Sequence, residues 1–163
     1  MDASAGEDLL IYAGGGSGDW QLVWVDRGTK QITTVADKLD NLQLARISPD
    51  GNRIALQLDT GTADIWVLDV ARGVRTRLTF GPISNTEPVW SPDGKSLGFF
   101  TPGKLKRIVL AQGASAVPIC DVPAGGGRTG TWSAEGDILF GSVQGEMIFR
   151  VPAAGGLPEK LLQ

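Results

Sequence analysis

The sequence predicts an all-β chain built from one repeated unit of four short antiparallel strands. Three observations support this prediction: a turn motif recurs every 42 or 43 residues, glycines are spread along the chain, and no window favours a long amphipathic helix. The 163 residues include 23 glycines, about twice the usual frequency. Many turns in a chain of this length mean that the strands are short.

The recurring turn motif marks the first hairpin of each unit. Ser-Pro-Asp-Gly occupies residues 48–51 and 91–94, and a weaker copy, Ser-Ala-Glu-Gly, occupies residues 133–136. An Asp-Gly pair between two apolar runs is a strong hairpin signal, because glycine takes a positive φ at little cost. We therefore predict a tight hairpin between the first two strands, a and b, of each unit.

A second hairpin joins strands c and d of each unit. Its predicted turns lie at Gly28, 72–73, Gly113 and 155–156. The predicted connections from strand d to the next strand a are polar and lie at 36–41, 81–86 and 123–127. Strand c is apolar at consecutive positions, as in residues 65–68, which indicates that both faces of the sheet are covered.

The tryptophans repeat with nearly the same period. Trp24 and Trp66 are 42 residues apart, and so are Trp90 and Trp132. We interpret each pair as equivalent positions that pack in the core between neighbouring units. Trp20 lies outside this pattern, and the sequence leaves surface recognition and edge packing equally open for it.

A four-stranded sheet that repeats about every 42 residues and is covered on both faces is the blade of a β-propeller. A β-sandwich is the alternative, but sandwiches do not repeat turn chemistry at a fixed period. We predict a β-propeller arc of about four blades, the first of which lacks its innermost strand because residues 1–8 hold no apolar run. Residues 1–8 are assigned to a disordered or vector-derived start. A single propeller-type domain covers 9–163, with blades at approximately 9–35, 42–80, 87–122 and 128–163.

The blade count leaves two arrangements open. One is a ring of four blades with the missing strand left open, and the other is an arc cut from a ring of six to eight blades. An arc would expose apolar blade faces at both ends. A homodimer in which two arcs pair through these faces into an eight-bladed assembly is therefore a hypothesis.

Two segments carry a family resemblance. Residues 88–97 (Pro-Val-Trp-Ser-Pro-Asp-Gly-Lys-Ser-Leu) and 64–69 (Asp-Ile-Trp-Val-Leu-Asp), with Leu-Thr-Phe at 78–80, resemble the TolB-like, WD-repeat-like propeller repeat. The resemblance covers most of 9–163 and is weaker in the last unit, where Ala134 replaces the proline. It implies a β-propeller fold and a role in docking partner proteins.

A narrower resemblance involves residues 21–27 followed by 75–80. These segments look like the propeller region of bacterial eukaryotic-type serine/threonine kinases. In that family the propeller follows a membrane-spanning helix, which implies a periplasmic or otherwise extracytoplasmic location. The chain lacks the kinase's own catalytic elements, because it has neither a glycine-rich loop followed by a strand lysine nor a His-Arg-Asp loop.

The composition excludes several classes of chemistry. The chain has no histidine, which excludes Ser-His-Asp and Cys-His catalytic units and histidine-ligated zinc. Its net charge is −3 and its fifteen Lys and Arg residues are scattered, so we expect no nucleic-acid partner. The longest uncharged stretch, 108–120, is too short to cross a bilayer, so we expect no membrane insertion of this segment.

The residues that could carry chemistry have simpler structural interpretations. Gly130 and the glycines at 125–127 fit a dinucleotide-binding pattern, but a strand rather than a helix follows them. Carboxylates in turns accept hydrogen bonds from nearby amides, and Cys120 is expected to be a small packed side chain. The acidic residues assigned to turns are Asp26, Asp50, Asp69, Asp93 and Glu135. We therefore predict no catalytic residue, no cofactor and no metal site.

A binding surface is expected where the longer loops emerge. In up-and-down blades the b–c loops and the d–a connections leave the sheets at one rim, and the tight hairpins leave at the other. Function often lies on loops over a rigid scaffold. The candidates for a partner surface are Asp19, Trp20, Thr62, Asn85, Lys104 and Arg128.

The function predicted from these features is a non-catalytic module that recognises a protein or a small ligand, or acts as a scaffold. It would be a fragment of a larger bacterial propeller, such as the sensor region of a kinase. Two alternatives remain: a TolB-like periplasmic docking propeller, and the gating propeller of a serine peptidase whose catalytic domain lies outside this chain. A Gly-x-Ser-x-Gly elbow further along the reading frame would favour the peptidase.

Overall fold

The computed structural model describes residues 3–5, 9–14, 19–111, 115–123, 127–142 and 147–162. In these residues it contains sixteen β-strands and no helix. The strands form four antiparallel sheets of four strands each, and every sheet follows chain order from one edge to the other. The predicted all-β class and the repeated four-stranded unit are confirmed.

The sixteen strands divide evenly among the four sheets. The first sheet contains β1 (Ala3–Ala5), β2 (Leu9–Gly14), β3 (Asp19–Asp26) and β4 (Ile32–Asp40). The second contains β5 (Leu42–Ile47), β6 (Arg53–Asp59), β7 (Ala63–Asp69) and β8 (Val74–Arg77). The third contains β9 (Thr86–Trp90), β10 (Ser96–Thr101), β11 (Lys104–Val109) and β12 (Val117–Asp121). The fourth contains β13 (Gly127–Trp132), β14 (Asp137–Ser142), β15 (Ile148–Pro152) and β16 (Glu159–Leu162).

The first sheet corrects the prediction that the first blade lacks its innermost strand. Strand β1 pairs with β2, and Ser4 lies opposite Ile11 in the antiparallel register. The prediction failed because it required an apolar run, whereas an edge strand needs only its backbone groups to pair with one neighbour. Of the segment expected to be a disordered or vector-derived start, residues 1–2 and 6–8 lie outside the described residues.

Strand β4 also differs from the prediction, because it continues through most of the connection expected at 36–41. Asp40 lies opposite Asp19, and Leu39 lies opposite Trp20. Leu39 is fully buried in the core. The gain from burying this leucine explains why the polar-looking segment stays paired as a strand.

The sheets group into two compact units, residues 1–82 and 83–163, each of which contains two sheets. In the first unit β1 lies near β5, and in the second β9 lies near β13, so the first strands of the two sheets are neighbours. The core of the first unit combines side chains from both of its sheets. Its fully or largely buried members are Leu22, Leu39, Leu42, Ala45, Ile54, Leu56, Leu58 and Leu68.

The core of the second unit is built around three phenylalanines. The Phe100 ring meets the Phe140 ring edge-on at 5.6 Å between centroids, and Phe140 stacks on Phe149 at 5.4 Å. Such pairs add specific geometry to the burial of apolar area. Because Phe100 belongs to the third sheet and the other two rings to the fourth, these contacts hold the two sheets together.

Glycines let β13 approach this core. A Cβ added to Gly127 would overlap the Phe100 ring, and one added to Gly130 would lie 3.1 Å from Cγ2 of Val89. Gly127 and Gly130 belong to the run that fits a dinucleotide-binding pattern. Here they let β13 pack closely against Val89 and the Phe100 ring. Residues 125 and 126 of that run lie outside the described residues.

The hairpins between strands a and b, two with Ser-Pro-Asp-Gly and one with Ser-Ala-Glu-Gly, form as predicted. Gly51, Gly94 and Gly136 have φ values of 73°, 68° and 92°, the left-handed region that glycine tolerates best. In the third sheet the Ser91 hydroxyl donates to the Asp93 carboxylate at 2.6 Å and accepts from the Ser96 amide at 2.8 Å. The serine therefore links the turn to the following strand.

The hairpins between strands c and d are closed by aspartates, as predicted for Asp26 and Asp69. Asp26 accepts a hydrogen bond from the Thr29 amide at 2.7 Å, and Asp69 accepts one from the Arg72 amide at 2.9 Å. The left-handed residue of the second hairpin is Gly73, with φ 65°, but in the first hairpin it is Lys30, with φ 62°. Gly28 lies in the first turn without supplying that conformation. The predicted turn at Gly113 lies outside the described residues.

The hairpin register corrects the interpretation of Trp24 and Trp66. Because Asp26 and Asp69 occupy the same turn position, Trp24 is equivalent to Val67, one residue beyond Trp66. Neighbouring residues of a strand point to opposite faces. The two tryptophans therefore approach the core of the first unit from different sheets. Trp90 and Trp132 do occupy equivalent places, because they lie opposite Leu97 and Ile138 at the ends of matching hairpins.

Lys30→Gly tests the strain in the first c–d hairpin. A non-glycine residue in the left-handed region costs about 1–2 kcal/mol, and glycine regains part of this although the unfolded chain becomes more flexible. We expect the free energy of unfolding, measured by urea denaturation, to rise by about 0.5–1 kcal/mol. Gly73→Ala is the matched control and should lower it by about 1 kcal/mol. A stability loss in Lys30→Gly would contradict the assignment.

Candidate functional site

The six residues predicted to form a partner surface lie at or near the loop ends of their own sheets. Asp19 and Trp20 begin β3, Thr62 precedes β7, and Asn85 precedes β9. Lys104 begins β11 and Arg128 is the second residue of β13. Each sheet therefore places its candidates at the end where strand b turns into strand c and strand d leads to the next sheet. Whether these residues act in recognition remains a prediction.

Their surroundings differ. Trp20 is half-buried and packs against the core of the first unit. Of the two roles that the sequence left open, surface recognition and edge packing, this position agrees with edge packing. Asn85 is buried and its Nδ2 donates to the Ile83 carbonyl at 2.8 Å, so its side chain shapes the connection that precedes β9. Lys104 is exposed and pairs with Asp121, while Arg128 is exposed. The two cations are the better placed of these to meet a partner.

The acidic residues of the turns are engaged with their own hairpins. The Ser48 hydroxyl lowers the pKa of Asp50, and the Ser91 hydroxyl lowers the pKa of Asp93. The Thr29 amide likewise lowers the pKa of Asp26. Each hydrogen bond favours the ionised carboxylate. These carboxyl groups are therefore ionised at neutral pH and are poor general acids.

A buried ionic network in the second sheet was not foreseen from the sequence. Asp64 is buried on β7, where it accepts hydrogen bonds from the Thr79 hydroxyl at 2.8 Å and from the Arg77 guanidinium. The Thr79 hydroxyl also accepts from the Ile65 amide at 2.9 Å. Both oxygens of the buried carboxylate are thus satisfied, as a buried charge requires. The network joins β7 to the end of β8.

The Arg77 side chain is also flanked by aromatic rings. Its guanidinium carbon lies 4.9 Å from the centre of the Phe80 ring and 5.9 Å from that of Trp66, which is within the range of a cation–π interaction. Arg77 is about one third exposed, and Phe80 is exposed. The signal that could have revealed the network is an Arg-x-Thr pair at the end of strand d, together with an aspartate near the start of strand c.

The fourth sheet carries an open cavity of about 460 Å³. It is lined by uncharged residues, namely Thr129, Gly130, Thr131, Leu139, Phe140, Gly141, Ser142, Met147 and Ile148. Thr129 has φ 42° at a bulge in β13, and the buried Ser142 hydroxyl has no hydrogen-bond partner among the residues that the structure describes. Hydroxyls and apolar side chains can contact a surface, but this lining offers no group that ionises near neutral pH.

Cys120 contributes to the core rather than to a reactive site. It packs in the core of the second unit, and burial raises the pKa of its thiol. A raised pKa leaves little of the reactive thiolate. The interpretation of this cysteine as a small packed side chain agrees with its position.

Metal-binding and membrane-spanning features can be described only for part of the chain. Within the described ranges no three Cys, Asp or Glu residues come together as a metal-binding group. The same residues contain no helix that is long and apolar enough to cross a membrane.

Among curated proteins, the chain is similar to one named "uncharacterized peptidase YuxL" from Bacillus subtilis (strain 168). The two are 30% identical over an alignment of 115 residues, and the match covers 62% of this chain and 17% of that protein. No protein family model matches the chain.

Solved structures show the same fold at low sequence identity. TolB from Acinetobacter baumannii superposes with a TM-score of 0.77 at 18% identity, over 99% of this chain and 43% of that one. A prolyl endopeptidase superposes with a TM-score of 0.70 at 15% identity, over all of this chain and 29% of that one. The chain therefore has the TolB-like β-propeller fold, and it spans less than half the length of these proteins.

Asp64→Ala tests the buried network. The substitution leaves Arg77 without its carboxylate, and we expect a loss of about 2–3 kcal/mol in the free energy of unfolding, less than for a fully buried pair because Arg77 is partly exposed. The control is Arg72→Ala, which breaks an exposed pair with Asp69 and should cost less than about 0.5 kcal/mol. Equal losses in the two variants, measured by urea denaturation, would contradict the role of the network.

The turn carboxylates predict an acid-sensitive stability. Because the pKa values of Asp50 and Asp93 are lower in the folded protein, their contribution is complete above the unfolded value of about 4. It is lost as the pH falls through the folded values. We expect a double variant, Ser48→Ala with Ser91→Ala, to show a smaller drop in stability on acidification than the unmodified chain in urea titrations. An unchanged pH dependence would exclude these hydrogen bonds as its cause.

Proposed function

We propose that this chain is a non-catalytic recognition or scaffold module within a larger propeller protein. The observation that carries the proposal is the use of its acidic side chains. Asp26, Asp50 and Asp93 hold their own hairpins, and Asp64 holds two strands together. The lining of the cavity on the fourth sheet supplies no ionisable group. These four carboxylates therefore stabilise strands and turns, and a carboxylate that is held in this way is a poor general acid or base.

The proposed recognition surface is the loop end of the sheets. Lys104 and Arg128 are exposed there, and loops over a rigid scaffold can change without disturbing the strands. The tight hairpins at the opposite end are bound by hydrogen bonds within the Ser-x-Asp-Gly motif, which restricts their variation. A protein partner fits a surface of separate exposed side chains better than a small molecule does, because small ligands need a concave pocket.

The proposal extends to the kind of larger protein that contains this chain. The sensor region of a bacterial kinase and a TolB-like docking propeller both agree with a non-catalytic role and with an extracytoplasmic location, and both rest on the resemblances in the sequence. A second candidate is the propeller segment of a peptidase, which is favoured by the identity to the peptidase-named relative. A kinase domain and an apolar helix encoded upstream would support the first parent, whereas a Gly-x-Ser-x-Gly elbow encoded downstream would support the peptidase.

Site-specific photo-crosslinking tests the recognition surface. A photoreactive amino acid replaces Lys104 or Arg128 at the loop end, and Lys95, exposed beside a tight hairpin, serves as the matched control. Each variant is incubated with an extract of a bacterium that carries the gene. We expect a discrete cross-linked protein from the two loop positions and none from Lys95. Equal labelling from Lys95, or no discrete product at any position, would contradict the assignment.

Activity assays test the absence of catalysis. The purified chain is incubated with chromogenic peptides, phosphate esters and lactones, and we expect hydrolysis at the rate of the buffer alone. Asp64→Ala and Ser142→Ala serve as comparison variants, since they remove a buried acid and the unpaired hydroxyl of the cavity. Turnover above background that disappears in either variant would overturn the non-catalytic proposal.

A further inference from the structure

The outer edge of the second sheet carries a cluster of positive charge. The first strands of the first two sheets, β1 and β5, are neighbours, which puts the last strand β8 on the outside of the first unit. Residues 70–86 contain three arginines, Arg72, Arg75 and Arg77, and no aspartate or glutamate. The whole chain has a net charge of −3, so this segment is a local positive surface on an acidic protein. We call residues 72–77 the basic edge.

The last strands of the other three sheets are built differently. Strand β12 contains Pro118, and a proline at a sheet edge hinders pairing with another chain. Strands β4 and β16 carry charges of both signs, at Lys38, Asp40, Glu159 and Lys160. Among the last strands that the structure describes, β8 alone combines charges of one sign with the absence of proline. Such an edge repels a second copy of itself and attracts a strand of opposite charge.

The backbone groups that face outward on β8 belong to arginines. Among the described strands β8 pairs with β7 alone, and the Leu78 amide donates to a β7 carbonyl at 2.9 Å. In an antiparallel pair every second residue directs its N–H and C=O to the same neighbour, so Val74 and Thr76 also face β7. The backbone N–H and C=O groups of Arg75 and Arg77 therefore point to the open edge.

The side chains of the basic edge are available to different degrees. Arg75 is exposed and forms no ion pair within the part of the chain that the structure describes. The Arg72 side chain is 80% exposed, and its Nη1 lies 3.8 Å from Oδ2 of Asp69, an arrangement that stabilises the fold little. Arg77 is held in the buried network. On the opposite face of the strand, Val74 is 55% exposed. The edge thus offers one unpaired cation, one weakly paired cation and an apolar side chain.

We propose that the basic edge binds an extended acidic segment of a partner protein as an additional strand beside β8. Main-chain hydrogen bonds to Arg75 and Arg77 hold the segment, as in other cases of strand addition. Side chains of a strand alternate between its two faces. The preferred segment therefore alternates acidic residues, one of them opposite Arg75, with apolar residues that meet Val74. Opposite charges at facing positions stabilise such a pair of strands.

The open backbone groups favour a polypeptide over other anionic partners. A nucleic acid or a lipid surface would use the positive charge but not the N–H and C=O groups of a strand edge. Blades of a propeller stack face to face, so further blades of a longer propeller would leave this outer edge accessible. The basic edge shares no residue with the recognition surface proposed above at Lys104 and Arg128, and a negative cross-linking result there would leave this proposal intact.

Fluorescence anisotropy with a labelled peptide of alternating glutamate and valine residues tests the proposal. We expect saturable binding to the unmodified chain, weakened by added salt. A peptide of alternating lysine and valine lacks the complementary charge, and one of alternating glutamate and proline keeps the charge but lacks the backbone donors of a strand. Both should bind at least about tenfold more weakly. Equal binding of either control peptide, or tighter binding of duplex DNA or phosphatidylglycerol vesicles, would overturn the proposal.

A charge reversal locates the binding site on the chain. Arg75→Glu should weaken binding of the glutamate–valine peptide by about tenfold or more, because a facing pair of opposite charges becomes a like-charged pair. Lys160→Glu, at an exposed cation on the last strand of the fourth sheet, is the matched control and should keep the affinity. Should circular dichroism show that Arg75→Glu is unfolded, Arg75→Gln replaces it with a smaller loss in the same direction. Equal affinities of the arginine and lysine variants would contradict the assignment.

Amide hydrogen exchange, followed by NMR, tests the backbone pairing itself. With saturating glutamate–valine peptide the amides of Arg75 and Arg77 should exchange several-fold more slowly, because they acquire hydrogen-bond acceptors. The amides of Val74 and Thr76 already face β7 and should change less. Unchanged exchange at Arg75 and Arg77 in the bound state would show a contact through charge alone and would overturn strand addition.

Discussion

Stability in this protein depends on covering sheets that are apolar on both faces. Strand β7 has five of its seven residues buried and the other two half-buried, and both Ile65 and Leu68 on its opposite faces are inaccessible to solvent. A single four-stranded sheet cannot hide two such faces, and each apolar side chain left in water forfeits roughly 1.5–3 kcal/mol. Every sheet therefore needs neighbouring sheets to cover its faces. The repeat supplies them, because consecutive units of one chain can pack against each other.

The same requirement explains why the polar residues are used as they are. A carboxylate inside such a stack must be fully paired, and Asp64 meets that condition through Thr79 and Arg77. Other carboxylates lie at the hairpins, where the Asp26 and Asp93 side chains accept hydrogen bonds from the backbone of tight turns. Polar groups that stabilise the scaffold are not free for chemistry. This use of the carboxylates supports the proposed recognition role at the loops.

The mistaken predictions share one cause. Trp24 and Trp66 were paired by their spacing, but hairpin register rather than spacing determines which face a side chain joins, and a shift of one residue reverses it. The strand at Ala3–Ala5 was missed because its residues are small, although pairing with β2 needs only the backbone. Lys30 took the left-handed position expected of a glycine. In the first two cases pairing with a neighbouring strand overrode the local pattern, and in the third the turn's own hydrogen bonds did.

The six surface candidates show the same division. Their positions near loop ends followed from the predicted strand order, because strand order alone determines at which end of a sheet a loop emerges. Whether each side chain is available did not follow. Asn85 is buried against its own connection and Trp20 packs on the core, whereas Arg128 is exposed. Availability depends on neighbours that the sequence places at a distance.

The amino-acid sequence by itself determined the all-β class, the period of the repeat and the Ser-x-Asp-Gly hairpins. These features are local, because glycine's φ and hydrogen bonds between residues two to five apart need no other part of the chain. Only the tertiary structure decided which sheets pack together within each unit and which side chains form the network around Asp64. Those depend on which strand lies against which, and burial is a property of the packed whole.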